Sequence, residues 1–228
     1  MKDKFSLLII FLIFGLIGAG VFSNIMEQKS VDHSKIPAKV EDDSAFQRWI
    51  TNLKNKDIEI SADDFKLLEK VEIYNTKWMK VYSIEESGKQ EEYDKIIAEH
   101  KDVKDVVFSP SERIFLDYRN ISRNGYNSNE VHFYGLRDDK IIDARILDCS
   151  IRANCIFDRA YFLDNEVFVI TEISRSIDKK DLTTQTCLPS ESCSYSFKLH
   201  LVDLINNSRL IYESKPFDAV LDELAPEL

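Results

Sequence analysis

The chain has 228 residues, of which 44% are hydrophobic and 31% charged, and its formal net charge is −10. That length holds one domain with a real core, and the acidic balance opposes binding to nucleic acid or docking on an anionic membrane surface. Gly15, Gly18 and Gly20 lie near the N-terminus, and Gly88, Gly125 and Gly135 are scattered, so no glycine cluster cradles a phosphate, which excludes Rossmann and P-loop folds.

Lys2 and Lys4 precede an apolar run from Phe5 to Ile17 and the small residues Gly18-Ala19-Gly20. That order is the layout of an export segment, so residues 1–23 are a signal peptide or an N-terminal transmembrane anchor. Gly18 and Gly20 have the small-x-small spacing of a cleavage site, while Phe5 to Phe22 reaches the roughly 17–25 residues of a bilayer span. Either way the rest of the chain is extracytoplasmic (secreted, periplasmic or at the cell surface) and meets the membrane only through this segment.

Residues 24–43 are polar and unpatterned and read as a linker, and residues 44–228 as a single exported β-rich domain. Asp42-Asp43-Ser44 offers a helix start, and Phe46, Trp49, Ile50 and Leu53 recur at helical spacing up to about Lys54. Asp63 to Lys70 is ambiguous and open to a short helix. Val71 and Ile73, with Trp78, Met79 and Val81, suggest a hairpin turning at Asn75-Thr76. Lys89 to His100 returns to helical spacing, with Tyr93, Ile96 and Ile97 on one side.

From Val106 the period becomes two, in short apolar runs separated by polar turns, which implies an antiparallel β-meander. The runs fall into two similar units, about 105–148 and 157–214. Phe108 to Leu116 parallels Phe162 to Val169 with one residue of slip, and Val131 to Leu136 parallels Leu199 to Leu204 without a gap. His132 and His200 occupy equivalent places. Each unit continues into a polar turn, Asp138-Asp139 or Asn206-Asn207. The stretch Phe108-Ser109-Pro110-Ser111-Glu112-Arg113-Ile114 and the stretch Leu199-His200-Leu201-Val202-Asp203-Leu204 resemble strands of β-propeller blades of the TolB-type and WD40-like repeats. The resemblance covers about half the chain, and two such units cannot close a ring alone. The expected fold is therefore mainly β with helices (α+β): an open sheet of two blade-like units with helices covering one face. A closed barrel or a sandwich is the alternative.

The cysteines fall as Cys149-x5-Cys155 and Cys187-x5-Cys193. In an exported chain an even count favours disulfides over a zinc site, whose spacing is closer. Of three possible pairings the two local ones are favoured. Leu188, Pro189, Ser190, Glu191 and Ser192, between Cys187 and Cys193, form a candidate recognition loop, pre-ordered by its disulfide. No residues call for a metal or another cofactor. His132 and His200 lack a third defined ligand, and no serine sits in a G-x-S-x-G elbow. The sequence favours a non-enzymatic binding or structural module acting through sheet edges or loops on a protein partner or a second copy of itself. The alternative is an extracytoplasmic hydrolase whose carboxylates converge in the fold, with Asp117, Glu130, Asp164, Glu172 and Asp203 as candidates. No catalytic residue is identified.

Overall fold

In the computed structural model, which describes residues 34–73, 78–123, 126–149, 152, 154–176 and 187–225, a folded body extends from Lys35 onward. The export segment and the turn at Asn75-Thr76 lie outside the described residues. Helix α1 (Ala38–Glu41) and the buried Ile36 and Val40 belong to the core, so the folded body takes in part of the expected linker. One helical turn is too short to show a period, which is why the stretch looked unpatterned. Asp43 caps helix α2 (Ser44–Lys54) by accepting the Ala45 amide at 2.8 Å, and Phe46, Trp49 and Leu53 form its buried face. A 3-10 turn at Ala62–Asp64 leads into strand β1 (Lys66–Glu72), so the helix considered between Asp63 and Lys70 does not form.

Strand β1 and strand β2 (Met79–Ser83) do not make the expected hairpin; they join different sheets. Helix α3 (Lys89–His100) follows, and then β3 (Val106–Phe108), β4 (Ile114–Asp117), β5 (Asn120–Arg123), β6 (Tyr126–Arg137) and β7 (Lys140–Asp148). The two-residue turn from β6 to β7 has positive φ at both Asp138 and Asp139, the twist that suits a tight hairpin. The remaining elements are β8 (Cys155–Phe162), β9 (Val167–Arg175), β10 (Ser192–Asp203), β11 (Ser208–Glu213), β12 (Phe217–Val220) and a final turn of helix, α4 (Leu221–Leu224).

The meanders form two six-stranded antiparallel sheets. One has the order β1-β11-β10-β9-β8 with β12 on β10, and the other β2-β7-β6-β4-β3 with β5 on β6. The expected single open sheet is thus two stacked sheets, without ring closure. Leu116, Val131 and Phe133 of one sheet pack on Phe168, Ile170 and Val202 of the other. The opposite face of the β8–β11 sheet takes α1 and α2 onto Val169, Phe197, Leu199 and Leu201. On the far side, α3 stacks Tyr93 on Tyr134 and His100 on Phe115. The layers run helix, sheet, sheet, helix, with one core on each face of the β8–β11 sheet. Strand β9 is consequently buried on both faces along nearly its whole length; its first four residues, Val167 to Ile170, are continuously apolar rather than alternating, and the buried Thr171, Glu172 and Ser174 follow.

The two meanders match at the level of register. Asp117 pairs with His132 where Ile170 pairs with His200, and Leu116 pairs with Phe133 where Val169 pairs with Leu201. Leu116 and Phe133 face the second sheet, while Val169 and Leu201 face away from the first. The units are therefore stacked front to back. The last strand of each carries one N-terminal strand, β2 on β7 and β1 on β11.

Gly135 lets β4 approach β6. A Cβ at Gly135 would lie 2.6 Å from Ile114 Cγ1 and 2.7 Å from Ile114 Cα. Backbone cannot give way as a side-chain tip can, so Gly135→Ala is expected to destabilise by about 1–3 kcal/mol. Urea unfolding checks this, and an unchanged midpoint would contradict it.

Candidate functional site

The exposed edges of the sheets differ in how they are protected. Strand β1 carries Lys66, Glu69, Lys70 and Glu72, all exposed, and its pairing with β11 is irregular between Leu67 and Glu69. Charge and irregularity are the usual defences of a sheet edge. Strand β2 carries one charge, Lys80, and two exposed apolar side chains accompany it: Trp78, just before the strand, is 62% and Val81, within it, 49% exposed.

The ladder fixes which backbone groups of β2 face outward. The Arg145 amide donates to the Trp78 carbonyl at 3.2 Å, and the Ile84 amide to the Asp139 carbonyl at 3.0 Å. Even-numbered residues therefore bond to β7, and Met79, Val81 and Ser83 turn their backbone groups away. Ser83 is served locally, its amide donating to Glu86 Oε1 and its carbonyl accepting the Glu86 amide. Met79 and Val81 keep outward N–H and C=O groups without a partner among the described residues.

A charged rim borders this edge. The Arg145 guanidinium lies 4.3 Å from the Trp78 ring centre, bonds Glu130 at 2.6 Å and sits 3.3 Å from Asp148. His132 Nε2 is 2.9 Å from Glu130 Oε2. Burial pushes the Glu130 carboxyl up, but the His132 hydrogen bond and Arg145 outweigh it and hold the carboxyl below its ordinary range. The edges differ in charge rather than in apolar exposure, since β1 also exposes Leu68; the charge difference is visible in the sequence but gains meaning only once both strands are known to be edges.

Both local disulfides are present, Cys149–Cys155 and Cys187–Cys193. They point to an oxidising, extracytoplasmic compartment. Residues Leu188, Pro189, Ser190, Glu191 and Ser192 are all exposed. Glu191 closes the loop on itself, its carboxylate accepting the Leu188 amide and its amide donating to the Leu188 carbonyl. The Asp222 amide bonds the Pro189 carbonyl, and Asn154 Nδ2 bonds the Cys187 carbonyl at 2.9 Å. The two disulfide segments thus touch through Asn154. Cys149 and Cys155 also lie beside Glu172, but their sulfurs are bonded to each other and are not thiolates.

The five candidate carboxylates each have their own partners. Asp117 binds Arg119 through two side-chain hydrogen bonds, and Glu130 binds Arg145 on the same outer sheet face. Asp164 caps the β8–β9 turn by accepting the Glu166 and Val167 amides, and Asp203 accepts the Asn206 amide. Glu172 is buried between the sheets, where Arg152 bonds it at 2.8 and 3.1 Å and His200 Nε2 lies 3.0 Å away. His132 faces the outer side and His200 the inter-sheet side, so the equivalent histidines do not meet.

Among the described residues no helix is long and apolar enough to cross a membrane. No family model, no curated protein and no solved structure matches this chain.

Proposed function

We propose that the protein is an extracytoplasmic, non-enzymatic binding module that takes an extended segment of a protein partner, or of a second copy, along β2. The outward backbone groups of Met79 and Val81 carry this reading: together with Trp78 and Val81 they offer main-chain pairing flanked by apolar anchors, the chemistry of strand addition. The front-to-back meanders resemble successive propeller blades, and an incomplete blade array leaves an edge for a partner to cover. Residues 1–23 would deliver the module, either cleaved off or kept as an anchor. The Leu188–Ser192 loop lies on the other sheet and is a second recognition element of the same module.

A photo-crosslinking residue at position 80 of the full chain, made in its own host, tests the idea against the same residue at position 68 on β1. Adducts are expected from position 80 alone, and their mass separates a foreign partner from a second copy. Val81→Pro removes an outward N–H without touching the β7 ladder, which an edge strand tolerates. It should abolish the adduct at a stability cost below about 1 kcal/mol, whereas Lys80→Pro breaks a ladder bond and costs about 1 kcal/mol or more. An adduct that survives Val81→Pro, or equal labelling from both positions, would refute strand addition.

A further inference from the structure

One side chain of β2 is not used by main-chain pairing. Lys80 is exposed, and its ammonium has no hydrogen-bond or ion-pair partner among the described residues. The other cations of this outer face are committed, Arg145 to Glu130 and Asp148, and Lys89 to Glu92. The backbone of Lys80 bonds β7 in register with Asp143. An antiparallel strand added outside β2 therefore meets Lys80 in a non-hydrogen-bonded pair, the closer kind, with Cα atoms about 4.5 Å apart. Met79 and Val81 point to the opposite face, toward the second sheet. Ile73 and Met79 pack there at the margin of the inter-sheet core, and Val81, on the same face as Met79, is 49% exposed.

We propose, resting on strand addition at β2, that Lys80 determines what is added: an extended segment of a foreign protein with an acidic residue between two apolar ones, and not a second copy. Geometry opposes self-pairing. The antiparallel register that joins the outward groups of Met79 and Val81 to those of Val81 and Met79 in a second copy sets the two Lys80 side chains directly opposite each other, and like charges there are destabilising. Centring the pair on Val81 instead sets Met79 against Ser83, whose backbone groups Glu86 already serves. The same ammonium attracts a carboxylate from a different chain, so one position supplies both the repulsive and the attractive contact that specificity needs. The net charge of −10 does not reverse this. Physiological salt largely screens charges more than about 8 Å apart, and Asp143 lies one strand spacing, about 4.8 Å, further from the added chain than Lys80. On the inter-sheet face, apolar residues on either side of the acid cover Met79 and Val81, and β-branched ones suit a strand best.

Two capped peptides, Thr-Thr-Val-Glu-Val-Thr-Thr and the same sequence with a central lysine, are the probes, titrated into the full chain while NMR follows the Met79 and Val81 amides. Both amides should shift, saturating with a Kd on the order of 1 mM for the glutamate peptide. The lysine peptide should bind about fivefold more weakly, the sum of an attraction lost and a repulsion gained. Lys80→Glu should invert the order, and Val81→Pro should abolish the Met79 response to both peptides. The parent chain should sediment as a monomer at about 0.1 mM. Equal affinities, an order unchanged by Lys80→Glu, or a dimer whose Met79 amide shifts on dilution would overturn the role of Lys80 while leaving strand addition in place. A Met79 response that survives Val81→Pro, or no shift from either peptide up to about 10 mM, would overturn strand addition itself and the role of Lys80 with it.

Discussion

Glu172→Ala is expected to destabilise the fold by about 3–5 kcal/mol, the cost of breaking a buried ion pair and leaving Arg152, Lys198 and the His200 ring without the carboxylate they share. Glu172 is 1% exposed and His200 3%. Arg152 bonds both carboxylate oxygens, His200 lies within hydrogen-bond distance, and Lys198, opposite Glu172 in the β9–β10 register, is 3.5 Å away. Glu172→Gln keeps the shape and one acceptor, so it should recover part of the loss. Arg152→Ala should cost less than Glu172→Ala, because Arg152 is 41% exposed and Lys198 remains. Urea unfolding of the three variants gives the order; a Glu172→Ala midpoint equal to that of the parent protein would contradict the reading of the cluster.

The same cluster sets an acid dependence. Burial pushes the Glu172 carboxyl up, but the His200 hydrogen bond and the Arg152 charge outweigh it and hold the group well below the ordinary carboxylate range. Burial pushes the His200 imidazole down by more than Glu172 raises it. His200 Nδ1 is buried without a partner among the described residues, which suits an unprotonated nitrogen far better than an N–H. A histidine neutral in the fold but protonated in the unfolded chain contributes stability that is complete above its unfolded value of about 6.5 and declines as the pH falls. A carboxylate depressed in the fold contributes stability complete above its unfolded value of about 4.3 and loses it as the pH falls further. Both slopes have the same sign, so stability should decrease in two stages from about pH 6.5 downward. Asp117, Glu130 and Asp164, also held low by their partners, add to the second stage. His200→Gln should remove most of the first stage, and a urea midpoint unchanged between neutral pH and pH 5 in the parent protein would contradict the assignment.

Trp49→Ala should have a comparable effect, about 3–5 kcal/mol, through a different mechanism. Trp49 is 1% exposed and anchors α2 to the β8–β11 sheet. Its ring meets Phe197 edge-on at 5.2 Å and tilts against Phe46 at 5.8 Å and Phe65 at 6.2 Å. Truncation removes those contacts, opens a cavity and strips Asp158 of the indole N–H. For a body of this size the loss corresponds to a Tm lower by about 10–15 °C. Trp49→Phe keeps a ring and loses mainly one hydrogen bond, about 1 kcal/mol. Calorimetry separates the two, and equal costs would mean that the Asp158 bond rather than ring packing holds the helix.

Much of the local structure is legible in the residues. Asp43 and the spacing of Phe46, Trp49 and Leu53 specify α2; Tyr93, Ile96 and Ile97 specify α3; adjacent acidic residues at Asp138-Asp139 mark the tight turn. These depend on neighbours a few positions away, and the same holds for cysteines six apart, whose short loops close easily. Strand identity was similarly readable from apolar runs, although β5 and β12, short and polar or isolated, gave no such run.

What the chain did not disclose was partnership. Val71 and Val81 look like the two arms of one hairpin, yet β1 and β2 end on different sheets because each meander offers its own unpaired last strand, and alternation records which residues share a face without saying which ladder is open. His132 and His200 sit at matching register positions in similar sequences, yet one lies beside Glu130 on an outer face and the other is buried against Glu172 in the middle layer. Glu172 itself reads as one acid among many until a second sheet covers it. By itself the sequence determined the elements and their local closures, since those follow from backbone preference and short-range spacing. The tertiary structure alone decided the edges and the buried ion cluster, because each is made by segments that the chain keeps far apart.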